Sequence, residues 1–132
     1  MGQKVNPKAF RLGGLYTWDS RWFVAKDKYK KFVLEDLILR KAITEKLRPA
    51  GISKIEIERS INKIDVILHV SRPGIVIGRG GQGLEEIKKL VEGIIFGKIG
   101  KTDSKLKLEI KIEPIRFMCI PGVKPVIVPK II

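Results

Sequence analysis

Hydrophobic residues recur at helical spacing in two separate stretches of the chain. The first stretch covers residues 27–49, with Asp27 as the expected N-cap and Pro49 as its stop. Its apolar positions recur every four residues in two rows, which are Leu34, Ile38, Ala42 and Leu39, Ile43, Leu47. The second stretch begins at Gln82, and its apolar stripe consists of Leu84, Ile87, Val91 and Ile94. The pattern predicts two amphipathic helices.

Between and after these helices, hydrophobic positions alternate with a period of two. Residues 54–58 and 64–70 alternate, and residues 60–62 between them have the composition of a turn, so this part predicts a β-hairpin. Residues 105–113 alternate again and predict a further strand. Residues 75–77 follow a Pro-Gly pair and are too few for a strand, and we expect a short helix there.

The predicted order is helix, strand, strand, short helix, loop, helix, strand. The last crossover places the final strand parallel to the second, and such crossovers are right-handed. We therefore expect an α/β (α+β) domain over residues 26–113, with a three-stranded mixed sheet covered by helices on one face. Residues 1–25 show no regular period and predict an extended, basic and aromatic N-terminal arm. Residues 114–132 form a proline-rich apolar tail.

Charge changes this picture, because 27 Lys and Arg face only 14 Asp and Glu and leave a net charge of +13. The excess lies in the flanks. Residues 1–31 hold eight basic and two acidic residues (net +6), residues 32–70 seven and six (net +1), and residues 71–132 twelve and six (net +6). Such an excess opposes compact folding unless a polyanion neutralises it, and nucleic acid is the commonest polyanion partner. An anionic membrane and a solvated basic surface are the alternatives.

The sequence offers little chemistry for catalysis. Cys119 and His69 are each the only residue of their kind, so an internal disulfide and a zinc site built by this chain alone are excluded. We expect no catalytic residue, metal, cofactor or small-molecule substrate. The N-terminus lacks the apolar segment of a signal peptide, and the apolar C-terminal tail is too short and too broken by proline to span a membrane. A soluble protein of the cytoplasm or of an organelle matrix is expected.

Residues 78–83, GRGGQG, match two different phosphate-binding patterns. The dinucleotide fingerprint G-x-G-x-x-G requires a full strand directly before the glycines and an acidic residue at the end of the next strand. Here Pro73 leaves too few residues for that strand. Asp103 has a suitable spacing but precedes the predicted strand instead of following it. The context disfavours a dinucleotide site.

The shorter pattern G-x-x-G at residues 78–81 fits its context, because it lies between two predicted helices. Glycines allow a phosphodiester backbone to approach without Cβ clashes, and amides at the following helix N-terminus point toward phosphate. Arg79 is placed to pair with that phosphate, and Ile77 is the best candidate for an apolar groove that accepts unpaired bases. The RNA-binding residues predicted in and around the loop are Arg72, Ile77, Gly78, Arg79, Gly80, Gly81 and Lys88.

Aromatic and basic residues are interleaved in the N-terminal arm. Trp18 and Trp22 lie near Arg11 and Arg21, a combination in which rings stack on bases and guanidinium groups bind phosphate. The alternative is an arm whose rings dock on its own core.

The order α-β-β-α-α-β with G-x-x-G between the last two helices resembles the prokaryotic (type II) KH domain. The segments MGQKVNPKAFRLG, SRW, LEDLILRKAITEKL, IEIERS and RPGIVIGRGG are similar to the ribosomal protein three family of the bacterial or organellar small subunit. This resemblance covers residues 1 to about 113. It implies a non-catalytic constituent of the small-subunit head that binds ribosomal RNA, touches neighbouring head proteins and lies near where messenger RNA enters. It also implies an RNA-bound arm that includes Gln3, Lys4, Asn6, Arg11, Trp18, Arg21 and Trp22.

The chain departs from the family's pattern at two places. The family often has lysine where this chain has Gly80, so the loop carries one charge fewer. The family usually continues as a second α/β domain, whereas residues 115–132, IRFMCIPGVKPVIVPKII, do not match that domain. We therefore do not extend messenger unwinding to this chain. A free-standing KH-type regulatory module that binds RNA outside the ribosome is the alternative function.

Overall fold

The computed structural model describes residues 2–97, 106–115, 117–118 and 126–127. Cys119, the single cysteine, and Asp103, the acidic residue considered for the dinucleotide pattern, lie outside these described residues. The helices are α1 (Pro7–Phe10), α2 (Lys26–Lys46), α3 (Pro73–Ile77) and α4 (Gln82–Gly97), with short 3-10 turns at Arg48–Ala50 and Arg79–Gly81. The strands are β1 (Ser20–Arg21), β2 (Ile52–Arg59), β3 (Lys63–Val70), β4 (Lys107–Pro114), β5 (Phe117–Met118) and β6 (Val126–Ile127).

The main sheet has the strand order β1-β2-β3-β4. β2 and β3 form the predicted antiparallel hairpin, closed by a hydrogen bond from the Ser60 N–H to the Lys63 carbonyl at 2.8 Å. β4 pairs with β3 in parallel, as the predicted crossover requires. β5 and β6 pair separately as a small antiparallel ladder within the predicted tail.

The predicted number of three strands is too low, because a piece of the N-terminal arm joins the sheet. β1 pairs in parallel with the free edge of β2, with Ser20 opposite Ile57. The Ile57 N–H also donates to the Asp19 carbonyl at 2.9 Å. A two-residue strand has no periodicity to detect, and its existence depends on unpaired backbone groups of a neighbour that is distant in sequence.

The hydrophobic core lies between the sheet and the two long helices. The alternating residues of β3 that were predicted to share a face, Ile64, Val66, Leu68 and Val70, are all buried in this core. α2 contributes Leu39 and Ile43, and α4 contributes Ile87 and Val91 among others. Leu34 departs from its predicted apolar row and is 45% exposed.

The ends of α2 differ from the sequence prediction. The residue before the helix is Ala25, whose side chain cannot cap, and Asp27 lies inside the first turn. There its charge still favours the positive end of the helix dipole. The helix ends at Lys46 instead of continuing to residue 49, because Pro49 has no N–H to donate to the preceding turn and its ring clashes with that turn.

The face of the sheet turned away from α2 and α4 carries paired charges. Glu56 accepts hydrogen bonds from Arg21 Nη2 at 2.8 Å and from Lys54 Nζ at 2.6 Å. Partial burial by itself would raise the pKa of Glu56, but the Lys54 bond and nearby positive charges outweigh it and hold this pKa below its ordinary value of 4.5. Burial would also raise the pKa of Asp65, but hydrogen bonds from Lys63 and Lys111 outweigh it and lower this pKa.

Candidate nucleic-acid interface

The glycine loop lies between two helices, as the G-x-x-G pattern predicts. β3 ends at Val70, α3 follows, and the 3-10 turn Arg79–Gly81 leads directly into α4. The dinucleotide fingerprint requires a strand in the place that α3 occupies. The structure therefore excludes the dinucleotide interpretation of these glycines.

Three glycines of the loop adopt left-handed backbone that other residues rarely take. Their φ angles are +70° at Gly78, +64° at Gly80 and +82° at Gly81. A Cβ atom at Gly78 would lie 3.0 Å from the Gly83 nitrogen, whereas the positions around Gly80 and Gly81 are open. The open space beside Gly80 and Gly81 leaves room for a sugar–phosphate chain at close range.

Gly83 matters for the site and was missed by the sequence prediction of RNA-binding residues. A Cβ atom there would come within 2.4 Å of the Val76 carbonyl oxygen, so only glycine allows the start of α4 to contact α3 this closely. This contact fixes the angle at which the loop is presented. The signal in the sequence was a fourth glycine at the first turn of a predicted helix, which usually indicates close backbone approach.

The side chains beside the loop combine a free cation with an exposed apolar surface. Arg79 is exposed and forms no ion pair or hydrogen bond with any side chain in the described part of the molecule. Ile77 is 41% exposed and Ile75 is 45% exposed, while Val76 between them is fully buried in the core. Alternation along α3 thus leaves the Ile77 side chain partly exposed, and its place in a groove for bases stays a prediction.

Helix α4 adds backbone donors to the same site. It is 16 residues long, and its N-terminal N–H groups lack partners within the helix and lie next to the loop. The predicted residues Arg72 and Lys88 are exposed on the two sides of the loop, before α3 and in the second turn of α4. The loop, its cation and the helix N-terminus form an arrangement that favours an anionic chain.

The outer part of the arm, residues 2–18, contains no buried residue. Gln3 and Lys4 are exposed, and Trp18 is 66% exposed. Asn6 caps α1 by accepting a hydrogen bond from the Lys8 N–H at 3.0 Å. The predicted RNA contacts in this segment therefore remain accessible, although Asn6 also has a local structural role.

Trp22 and Arg21, two predicted RNA-binding residues of the arm, contact the domain. The Trp22 indole Nε1 donates to Asp36 at 2.8 Å, and its ring packs against Tyr29 with the centroids 5.5 Å apart. Arg21 pairs with Glu56 and with Glu58 on the open face of the sheet. The alternative interpretation, rings docked on the protein's own surface, holds for Trp22 and not for Trp18. RNA contacts by Arg21 and Trp22 stay a prediction.

The described residues offer neither a metal-binding cluster nor a membrane-spanning helix. That part of the chain holds no group of three or more His, Cys, Asp or Glu placed to bind a metal ion. None of its helices has the length and apolar composition needed to cross a membrane.

A KH domain family model matches residues 38–114 of the chain. The match and the observed order of helices and strands agree, and the chain belongs to the KH domain family, in the predicted type II arrangement. The glycine loop falls inside the matched residues.

Bacterial relatives named small ribosomal subunit protein uS3 are similar to the chain. The relative from Caldicellulosiruptor saccharolyticus is 53% identical over 85% of this chain and 49% of its own length. The relative from an Anaeromyxobacter species is 49% identical over 83% of this chain and 46% of its own length. A third, from Thermomicrobium roseum, is 43% identical over 88% of this chain and 48% of its own length. The resemblance predicted from the sequence is confirmed.

The chain spans about half the length of the curated relatives it matches.

Proposed function

We propose that the chain is a non-catalytic, RNA-binding constituent of the small ribosomal subunit, with small-subunit ribosomal RNA and neighbouring ribosomal proteins as its partners. The observation that carries this proposal is the glycine loop, where open left-handed glycines, the exposed Arg79 and the α4 N-terminus lie together. The names of the relatives support the ribosomal setting. The net charge of +13 supports a polyanionic partner.

Binding would combine general phosphate neutralisation with local positioning. Lys and Arg of the two basic flanks supply the electrostatic part of the affinity, which carries no sequence information by itself. The loop accepts the backbone of an unpaired segment, and Ile77 with Trp18 offers apolar and stacking surface for bases. No step of this function requires catalysis.

Messenger RNA near its point of entry is a second ligand for the exposed loop, since that loop recognises an unpaired strand through its backbone. The working location is the ribosome, in the cytoplasm of a bacterium or in an organelle matrix.

Sedimentation tests the ribosomal role. In a sucrose gradient of cell lysate, the natural protein detected by antibody should travel with the small subunit and should be released from it by concentrated salt. Protein that remains in the light fractions at low salt would contradict the ribosomal role and favour the free-standing RNA-binding module.

A further inference from the structure

A buried carboxylate joins the N-terminal arm to the domain. Asp36 of α2 is 5% exposed and accepts four hydrogen bonds. Two come from the arm, from Ser20 Oγ at 3.1 Å and Trp22 Nε1 at 2.8 Å. The other two come from Arg59, whose Nε lies 3.1 Å from Asp36 Oδ1. The arm is thereby bonded to a side chain that the domain itself already holds in place.

One helical turn further on, Arg40 holds the backbone of the same segment. Its guanidinium donates to the Asp19 carbonyl at 3.1 Å and to Ser20 Oγ at 2.8 Å. It also donates to the Ile55 carbonyl of β2. Arg40 therefore bridges the arm and the sheet. We call Ser20, Trp22, Asp36, Arg40 and Arg59 the anchor network.

The rest of the arm is held weakly by comparison. Residues 2–18 contain no fully buried residue, and the ion pair of Lys8 with Asp19, nearer the domain, joins half-exposed groups. Exposed ion pairs of this kind stabilise little. The direction in which the arm leaves the domain is therefore set at β1 by the anchor network.

We propose that Arg40 and Asp36 are positioning residues for RNA binding, which hold the arm so that it and the glycine loop contact one RNA as two sites at fixed separation. This inference rests on the proposed function. A second site whose direction is fixed at β1 binds the same strand more tightly than one on a freely turning tether, because the fixed direction raises the effective concentration of that second site. Pre-organisation also removes the ordering cost at the moment of binding.

The first test needs no RNA. We use Arg40→Gln combined with Ser20→Ala, which removes the bridge and leaves the Asp36–Arg59 pair intact. Lys41→Gln is the control, because it removes the same charge one residue away at an exposed position that makes none of these bonds. The Ile57 amide, which donates to Asp19, should exchange its hydrogen about tenfold faster in the variant and unchanged in the control. Unchanged exchange in the variant would overturn the anchor network. If the double variant does not unfold cooperatively, the same amide exchange is measured in Ser20→Ala alone.

The second test is a double-mutant cycle on RNA affinity. The probe is a labelled transcript of small-subunit ribosomal RNA from Caldicellulosiruptor saccharolyticus. Arg40→Gln combined with Ser20→Ala, the anchor variant, is measured in two backgrounds. One is the full chain, and the other is the same chain with its exposed arm groups removed by Lys4→Gln and Trp18→Ala. With the arm groups present, the anchor variant should bind this RNA about tenfold more weakly than Lys41→Gln. With the arm groups removed, the difference in RNA affinity should be less than about twofold.

The outcomes separate the two proposals. Equal losses in both backgrounds would mean general damage to the domain and would overturn the positioning role. Absence of binding by the unaltered chain would overturn the proposed function instead, while amide exchange at Ile57 would still report whether Arg40 and Ser20 hold the arm.

Discussion

At the scale of single residues, the glycines around the loop serve two different purposes. Gly80 and Gly81 have left-handed backbone in open surroundings, which keeps the loop surface accessible. Gly83 has ordinary helical backbone and no space, because the Val76 carbonyl occupies the position of a Cβ atom. Gly80 and Gly81 thus keep the loop open to a ligand, whereas Gly83 allows the packing of α4 against α3 that presents the loop.

Replacement of Arg79 should affect RNA binding without affecting stability. Arg79→Glu places a negative charge at the loop, and we expect affinity for unpaired RNA to fall about tenfold. Lys41→Glu is the matched control, since it makes the same charge change at an exposed position in the near-neutral middle of the chain. Filter binding at fixed salt measures both. Equal losses in the two variants would show that only total charge matters and would remove the loop from the binding site.

Replacement of Gly83 should affect stability. Gly83→Ala forces α4 away from α3, and we expect a loss of about 1–3 kcal/mol in the free energy of unfolding. Gly93→Ala in the same helix meets nothing within 4 Å and should stabilise by about 0.5–1 kcal/mol, because alanine favours helix over glycine. Urea denaturation compares the two. A Gly83 variant as stable as the Gly93 variant would contradict the close contact.

At the scale of elements, the N-terminal arm divides into an accessible outer part and a structural inner part. Residues 2–18 bury nothing, whereas β1 pairs with β2 and supplies donors to Asp36. β1 also covers backbone groups of β2 that would otherwise form an open sheet edge, a common starting point for aggregation.

Two deletions should therefore differ in effect. Removal of residues 2–17 should change the free energy of unfolding by less than about 1 kcal/mol, since it removes no buried side chain. Removal of residues 2–25 also removes β1 and leaves buried Asp36 without its arm donors, and we expect a loss of about 2–4 kcal/mol. Thermal unfolding and light scattering measure stability and aggregation. Equal stability of the two products would show that the inner part is not structural.

The charged face of the sheet should make the free energy of unfolding fall at acid pH. The pKa of Glu56 is lowered in the folded state, so the unfolded chain binds more protons as pH falls below 4.5. The contribution of Glu56 to stability is thus complete above that pH and disappears as pH falls through the lower pKa of the folded state. Asp19 and Asp65 act in the same direction.

The measurement is urea unfolding between pH 7 and pH 3. The unaltered chain should lose stability steeply in the acid part of this range, and Glu56→Gln should begin less stable at pH 7 and lose less on acidification. An identical acid loss in both proteins would show that Glu56 does not contribute.

At the scale of the whole molecule, the net positive charge lies in the two flanks of the chain, and the middle segment between them is nearly neutral. Residues 32–70, which form most of α2 and the hairpin, carry seven basic and six acidic residues. Many of these acidic groups are already paired, as in the Arg59 pairs with Glu35 and Asp36. The excess of cations therefore lies in the arm, in the first turns of α2 and in the chain that follows β3, which includes the loop.

This distribution predicts a steep salt dependence. Each phosphate contact releases counterions, so affinity for RNA should fall at least about a hundredfold between 50 and 200 mM salt. Electrophoretic mobility shift over that range tests it. An affinity that hardly changes with salt would mean that apolar and stacking contacts dominate.

Local patterns in the sequence determined the two long helices, the hairpin and the loop between two helices, because each depends on residues close together in the chain. The parallel last strand followed from the general rule for crossover connections. The tertiary structure alone decided β1, the docked Trp22 and the tight contact at Gly83. These depend on what lies opposite: a free edge of β2, the carboxylate of Asp36, and the carbonyl of Val76. A linear sequence states the type of each residue but not its distant neighbour, and it is that neighbour which turned part of a predicted RNA-binding arm into part of the fold.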